Sequence, residues 1–384
     1  MANKDVAKLI AAVQKAQGPG SIMTAAEVPK RPRVSSGSLA LDLAIGGGGL
    51  PADRVVELFG SESAGKTTLA LTAMRNFLDA YPDRYGLYID TEGKTPMDRV
   101  EQLLGPERME RFIPHYPADI EKATDTYREF VSSGHVCFVL YDSIAGGIPK
   151  RVTERSAEVS GGGRDAARLI SEFARVAGNH SNRYECCTMG INQLRVDQDG
   201  YHRYVTVGGN AWRHHCSLRI LIRERPAKFQ AKVDGETVEV GTEVVGRVVK
   251  NQVGGIEGRE AFWRMYTVAT EQYGFGIDQL EEIVRLGIIV EVIKFSGGWY
   301  HHRALPGPDK KGEHKVQGKD RLVEVVRSDP VVYRALFEEI SAVLRTERAM
   351  SVIAPVTDDA VTDLDGSPFG PNVLQRAMEE LSLP

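Results

Sequence analysis

Cysteine is scarce in this chain, with four among 384 residues: Cys137, Cys186, Cys187 and Cys216. So few, with no C-x-x-C pairs, build neither a disulfide framework nor a structural zinc site, and a reducing, cytoplasmic setting is the expectation. Long apolar runs are missing too. No stretch approaches the roughly eighteen apolar residues of a membrane-spanning helix, and the opening MANKDVAKLI carries Lys4, Asp5 and Lys8 where a secretory leader is apolar. No membrane partner is expected. Nor is there an excess of positive charge: 48 Lys+Arg against 52 Asp+Glu leave a net charge of -4, which excludes a constitutive polycation. Any nucleic-acid site must be local.

What is present is ordinary globular composition, 42% hydrophobic and 26% charged, which excludes a disordered chain and provides for one large domain plus appendages. Residues 1–33 begin with Val6, Leu9, Ile10 and Val13 at helical spacing and break at Gly18-Pro19-Gly20. This predicts one helix and a linker. A lone helix with one apolar stripe is marginal in water, so it must dock on its own domain or on a neighbouring subunit.

Residues 34–273 alternate apolar strand-like runs (55–59, 86–90, 136–142, 188–192) with helical patterns. The expected fold is α/β, a mainly parallel twisted sheet with ligands at the carboxyl ends of its strands. Two further runs, 217–223 and 243–250, flank Asp234-Gly235 and are expected to extend the sheet antiparallel. Residues 274–345 read as a small α+β C-terminal domain with a hairpin at Gly297-Gly298-Trp299-Tyr300. The remainder, 346–384, carries Glu347, Asp358, Asp359, Asp363, Asp365, Glu379 and Glu380 against Arg348 and Arg376, and reads as an acidic disordered tail.

Gly60-Ser61-Glu62-Ser63-Ala64-Gly65-Lys66-Thr67 fits G-x-x-x-x-G-K-[ST], follows a strand-like run and, through Thr68, enters a helix-forming one. Such a loop converges backbone N–H groups on phosphate oxygens, with Lys66 as the phosphate cation and Thr67 as a Mg²⁺ ligand. Asp142, closing the apolar run 136–142, is the expected second group of the metal shell. Glu92, just past the run 86–90, is the candidate that positions or deprotonates the attacking water. Asp90 reads better as a strand-end cap.

Together with Gly20-Ser21-Ile22-Met23, Ser36-Gly37-Ser38-Leu39-Ala40-Leu41-Asp42, Ile191-Asn192-Gln193-Leu194-Arg195 and Gly208-Gly209-Asn210-Ala211, this loop resembles the RecA family of homologous-recombination ATPases. The resemblance runs in order from about residue 6 to 345. It implies a RecA-type core, ATP and Mg²⁺ as cofactors, a homo-oligomeric helical filament on single-stranded DNA, capture of double-stranded DNA, and strand exchange. It also implies roles for individual residues. Lys66, Thr67, Glu92 and Asp142 match the nucleotide site, Gln193 the glutamine that senses the γ-phosphate, and Lys250 a lysine reaching the neighbour's nucleotide. Arg168, Arg175, Gly208, Gly209 and Asn210 match DNA contacts, within or beside two loops at about 154–164 and 195–210, and Arg195 opens the second loop. For either arginine of the pair 168 and 175 taken alone, a solvated helix face is the commoner reading; their spacing puts both on one side of a helix.

The chain also departs from the family. Gln252 replaces a second trans lysine, Val100 stands at the adenine-stacking tyrosine, and His214 replaces an interface aromatic. A basic run from Lys294 through Arg303, Lys310, Lys311, Lys315 and Lys319 to Arg321 is the expected duplex site, and the acidic tail could cover it. Two other classes compete: a hexameric ring helicase or translocase on the same core, and a catalytically weak P-loop mediator. The helix-first order and the glycine-ended second loop disfavour the former, and the intact Glu92, Asp142 and Gln193 disfavour the latter.

Overall fold

The computed structural model describes residues 2–18, 21–27, 32–46, 48–153, 162–195, 205–233, 235–270, 274–309, 312 and 314–344. The expectations placed on 154–161, on 196–204 and on the acidic tail fall outside these residues. The described chain separates into a unit of residues 1–32 and a unit from Arg33 onward. In the first, helix α1 (Ala2–Gln17) carries Val6 and Leu9, 53% and 65% exposed, and Gln14 Nε2 donates to the Ile22 carbonyl at 2.7 Å.

The second unit is built on a ten-stranded sheet. Its main strands are β1 (Val55–Gly60), β2 (Tyr85–Asp90), β3 (Phe112–His115), β4 (Val136–Asp142), β5 (Cys187–Arg195), β6 (Leu218–Val233), β7 (Glu236–Asn251), β8 (Glu260–Tyr266) and β9 (Gly276–Ile277). They lie in the order β9-β8-β7-β6-β1-β5-β4-β2-β3. Every pairing from β6 through to β3 is parallel; those of β7 with β6, β8 with β7 and β9 with β8 are antiparallel. The α/β class with a mainly parallel sheet therefore holds.

Two details differ from expectation. β6 runs parallel to β1, so the antiparallel extension begins only at β7. The hairpin strands also reach sixteen residues each, beyond the apolar runs expected, because their turn-proximal stretches 226–233 and 236–239 are exposed or half-buried and mix polar with apolar residues.

Strand alternation sends neighbouring residues to opposite faces. Val56, Leu58, Tyr88 and Leu140 pack on the side of α2 (Leu39–Ile45), α3 (Lys66–Ala80) and α4 (Met97–Leu104). Val55, Leu87, Ile89, Val139 and Tyr141 pack instead against α5 (Ile120–Ser132) and α6 (Gly162–Tyr184). α3 buries Leu69, Met74, Phe77 and Leu78 completely or nearly so, each contributing about 1.5–3 kcal/mol by removal from water. Asp119 caps α5 by accepting from the Lys122 N–H at 2.7 Å.

After a short helix, α7 (Gly209–His215), and the hairpin, helices α8 (Gln279–Ile289), α9 (Lys319–Ser328) and α10 (Pro330–Leu344) surround a sheet of β10 (Lys294–Ser296), β11 (Trp299–His301) and β12 (Lys315–Gln317). Gly297 and Gly298, at φ 54° and 80°, supply the two positive φ angles of a tight hairpin turn between β10 and β11. Ile283, Val284 and Leu336 belong to the same apolar core as Val244 and Trp263, so this region shares its interior with the sheet.

A carboxylate joins the two. Glu282 of α8, fully buried, accepts from Ser38 Oγ at 2.6 Å, Leu39 N–H at 2.9 Å and Ala40 N–H at 3.0 Å, satisfying the open amides at the start of α2. Burial pushes its carboxyl up to about 7, against the opposing pull of Ser38, Arg285 and the amides. The folded state therefore holds this proton more tightly than the unfolded chain. The resulting stability is present below the unfolded value near 4.5 and is lost as pH rises through 7. Glu282→Gln should flatten the decline in unfolding free energy between pH 5 and 7 relative to the native chain. Glu282→Ala, which leaves buried amides unpaired, should lower stability by about 2–4 kcal/mol in urea titrations.

Candidate active site

Parallel pairing brings the carboxyl ends of the central strands together. Gly60 at the end of β1 lies opposite Gln193 of β5, and Asp90 at the end of β2 lies opposite Asp142 of β4. The loop from Ser61 leaves this edge and re-enters as α3, with Glu62 and Ser63 exposed and Ala64 buried. Gly65 sits at the helix N-cap at φ 85°, and a Cβ there would lie 2.1 Å from Met265 Cε. The left-handed backbone is what requires glycine here; the flexible Met265 tip would have only to swing aside for a Cβ.

Lys66 Nζ donates to the Gly60 carbonyl at 3.2 Å and to the Ser61 carbonyl, so the ammonium is held within the loop's own curve. Burial lowers its pKa, and Asp142, Glu62 and Glu92 oppose that. Thr67 Oγ1 donates to Asp142 Oδ2 at 2.8 Å, joining the hydroxyl and the carboxylate expected to share a metal. Burial raises the Asp142 carboxyl to about 6. One hydroxyl beside one carboxylate suits Mg²⁺, which keeps waters and takes substrate phosphate oxygens instead of filling an all-protein cage. Among the described residues no cluster of three or more His, Cys, Asp or Glu forms such a cage.

Glu92 is half-buried beside this pair. Its Oε1 accepts from Ser143 Oγ at 2.8 Å and its Oε2 from Lys94 Nζ at 2.9 Å; the Lys94 bond, then Ser143, lowers its pKa and keeps it ionised. Asp90 is a cap, as its position suggested, accepting from the N–H groups of Glu92 at 3.0 Å and Gly93 at 2.7 Å. Tyr88 Oη meets Thr95 Oγ1 at 2.7 Å and Asp142 Oδ2 at 3.4 Å. A cavity of about 360 Å³ opens between Lys66, Thr67 and Thr68 on one side and Thr95, Pro96, Arg99 and Leu103 on the other, with Met265 and Thr267 behind. Val100 is fully buried in the core and does not line it.

The remaining predicted residues lie elsewhere on this framework. Arg168 and Arg175 are both exposed on α6, whose opposite face buries Leu169, Ile170, Phe173 and Ala177. Arg195 ends β5 in register with Val205, and Gly208 caps α7 at φ 94°, followed by the exposed Gly209 and Asn210. Lys250 does not line the cavity; its Nζ donates to the carbonyls of Arg213 and His214, both at 3.0 Å, at the end of α7. In the basic run, Arg303 pairs with Glu339 at 2.9 Å, Lys315 with Asp309 at 2.9 Å and Lys319 with Glu281 at 3.3 Å, which reduces its free charge. Lys310 and Lys311 lie outside the described residues.

The model for the RecA N-terminal domain matches residues 4–267. "Protein RecA 1" of Myxococcus xanthus is 33% identical over 363 residues, covering 92% of this chain and 96% of that protein. "Protein RecA" of Rickettsia bellii (strain RML369-C) is 31% identical over 341 residues, with 86% and 90% covered, and that of Rickettsia prowazekii (strain Madrid E) 31% over 353, with 88% and 94%. The chain belongs to the RecA family. RecA proteins are DNA-dependent ATPases of homologous recombination; these full-length matches carry that activity to the present chain and do not favour the ring-helicase reading.

Sequence reasoning missed part of this candidate RecA site. Ser143, which holds Glu92, adjoins Asp142 and was within reach of a residue-by-residue reading. Met265 of β8 and Thr267 just past it lie some two hundred residues beyond the loop, and no sequence pattern points to them. Among the described residues no helix is long and apolar enough to cross a membrane. Gly65→Ala should abolish binding of a fluorescent ATP analogue while far-ultraviolet circular dichroism stays native. Adding Met265→Ala should not restore binding, because the backbone angle is still wrong for alanine.

Proposed function

We propose that this chain uses ATP with Mg²⁺ to assemble as a helical filament on single-stranded DNA, and that the filament pairs it with homologous duplex. The observation that carries this reading is the convergence of Lys66, Thr67, Asp142 and Glu92 at one sheet edge, with Gln193 in register beside the phosphate loop. Thr67 and Asp142 would hold the Mg²⁺, which supplies charge neutralisation on the phosphates. Lys66 binds the phosphate oxygens together with the loop amides. Glu92, kept ionised by Lys94 and Ser143, orients the attacking water and accepts its proton.

Gln193 reads the occupied loop and passes its state along β5 into the second loop, which Arg195 opens and Gly208, Gly209 and Asn210 close. There the glycines admit DNA phosphates to backbone amides, while Arg168 and Arg175 neutralise phosphates beside the first loop. Lys250 serves a neighbour's nucleotide once its hold on the end of α7 is exchanged for that contact, so that hydrolysis depends on assembly. The exposed Val6 and Leu9 of α1 support docking of residues 1–33 on a neighbouring subunit. Double-stranded DNA enters along the basic run near β12, whose ion pairs make it a weak site, as a transient gateway requires.

Electron microscopy with single-stranded DNA and a slowly hydrolysed ATP analogue should show open helical filaments; closed rings would favour the translocase. Lys66→Ala should lose nucleotide-dependent DNA binding, and an undiminished DNA-stimulated ATPase in that variant would overturn the site. Gln193→Ala should bind ATP with ordinary affinity yet lose the gain in DNA affinity that ATP confers. Full retention of that gain would remove Gln193 from the sensor role.

A further inference from the structure

Strand alternation turns Glu57 of β1 toward the α5 and α6 face, whose buried residues, among them Val55, Phe173 and Trp212, are apolar, and it is wholly buried. A carboxylate there must be fully partnered. Its Oε1 accepts from Trp212 Nε1 at 2.9 Å and from Asn192 Nδ2 at 2.8 Å, and its Oε2 accepts from Arg219 Nε. Each donor stands at a functional junction. Asn192 immediately precedes Gln193, takes the Gln193 N–H on its Oδ1 at 2.9 Å, and also donates to the Val207 carbonyl at 2.8 Å. Arg219 Nη2 donates to Thr206 Oγ1 at 3.3 Å. Trp212 lies on α7, just past Gly208, Gly209 and Asn210.

The indole is also fixed on its faces and edges. It stacks on Phe173 of α6 with centroids 6.0 Å apart and planes 17° from parallel. A Cβ on Gly190 of β5 would lie 2.4 Å from its Cζ2, and one on Gly208 would lie 3.4 Å from its Cγ. One rigid ring thus touches the helix that bears Arg168 and Arg175, the strand that bears Gln193, and the glycine that closes the second loop. Through its N–H it touches the strand that delivers the phosphate loop.

We propose that Trp212 and Glu57 are positioning residues that transmit nucleotide state to both DNA-binding segments. A buried carboxylate with three donors and no exposure to water cannot lose one donor without drawing on the others, so a shift of Asn192 when Gln193 engages the nucleotide moves Arg219, Trp212, and with them Thr206 and Phe173. The inference rests on the reading of Gln193 as the sensor.

The test is the ratio of affinities for a labelled single-stranded oligonucleotide measured with a slowly hydrolysed ATP analogue and with ADP. Trp212→Phe keeps most of the ring but removes the donor. It should leave the affinity for a fluorescent nucleotide within about twofold and reduce the ratio by about tenfold. A lowered melting temperature with an unchanged ratio would show a mere core filler and overturn the proposal. If the native chain shows no dependence of DNA affinity on nucleotide, the sensor reading fails and the proposal with it. Two measurements cover a variant that does not fold. Phe173→Leu, which loosens the stack without stranding the carboxylate, should also reduce the ratio. In the full chain carrying 5-fluorotryptophan, the Trp212 resonance, assigned by elimination with Trp263→Phe and Trp299→Phe, should shift when the analogue is added without DNA. An unmoved resonance or an unchanged Phe173→Leu ratio overturns the coupling role.

Discussion

The parallel pairing of Val55–Gly60 with Cys187–Arg195 is the constraint on which the rest of this protein depends. Hydrogen-bond register leaves no freedom to slide, because a shift of one residue turns every side chain to the opposite face. Gly60 and Gln193 are therefore held side by side, and Glu57 is turned into an apolar layer. The start of the phosphate loop, the placing of Gln193 beside it and a buried carboxylate are three consequences of one alignment. The neighbouring pair, Asp90 with Asp142, adds a second aligned edge, on which Thr67 closes from the start of α3.

Electrostatics around this edge is arranged so that unlike tasks fall to unlike environments. Glu92, partly exposed and bonded to Lys94 and Ser143, stays ionised, as the role proposed for it requires. Asp142, far more buried, is raised to about 6, a proton affinity that a nearby divalent cation overcomes. Lys66 is held by carbonyls of its own loop, which orient the ammonium without neutralising it. Glu57 shows the opposite solution, with complete burial balanced by three donors and no contact with water. It joins strands without taking part in phosphate chemistry, and its indole partner adds a contact that a shorter aliphatic side chain could not make.

Much of the site was legible because its chemistry is compressed into short segments. A phosphate loop needs glycines, a lysine and a threonine within eight consecutive positions, and a strand-end aspartate announces itself by the apolar run before it. The hairpin at Gly297-Gly298 was legible for a similar reason, since both residues must take positive φ. The full length of β6 and β7 was not, because their turn-proximal stretches are exposed or half-buried and read as loop; at the middle of the hairpin Arg225 pairs with the buried Glu243 at 2.7 Å. The parallel direction of β6 was equally hidden, since strand direction is set by which partner it meets.

By itself the sequence determined the phosphate loop, the class of fold and the kinship to RecA proteins, because each is written in local pattern or in the order of motifs along the chain. Only the tertiary structure decided what faces what. It placed Glu282 on the amides of α2 across some 240 residues, set Met265 against Gly65, buried Val100 away from the cavity, and gathered Trp212, Asn192 and Arg219 on Glu57. These contacts join residues far apart in the chain, and their partners are chosen by register and packing, which no local pattern encodes.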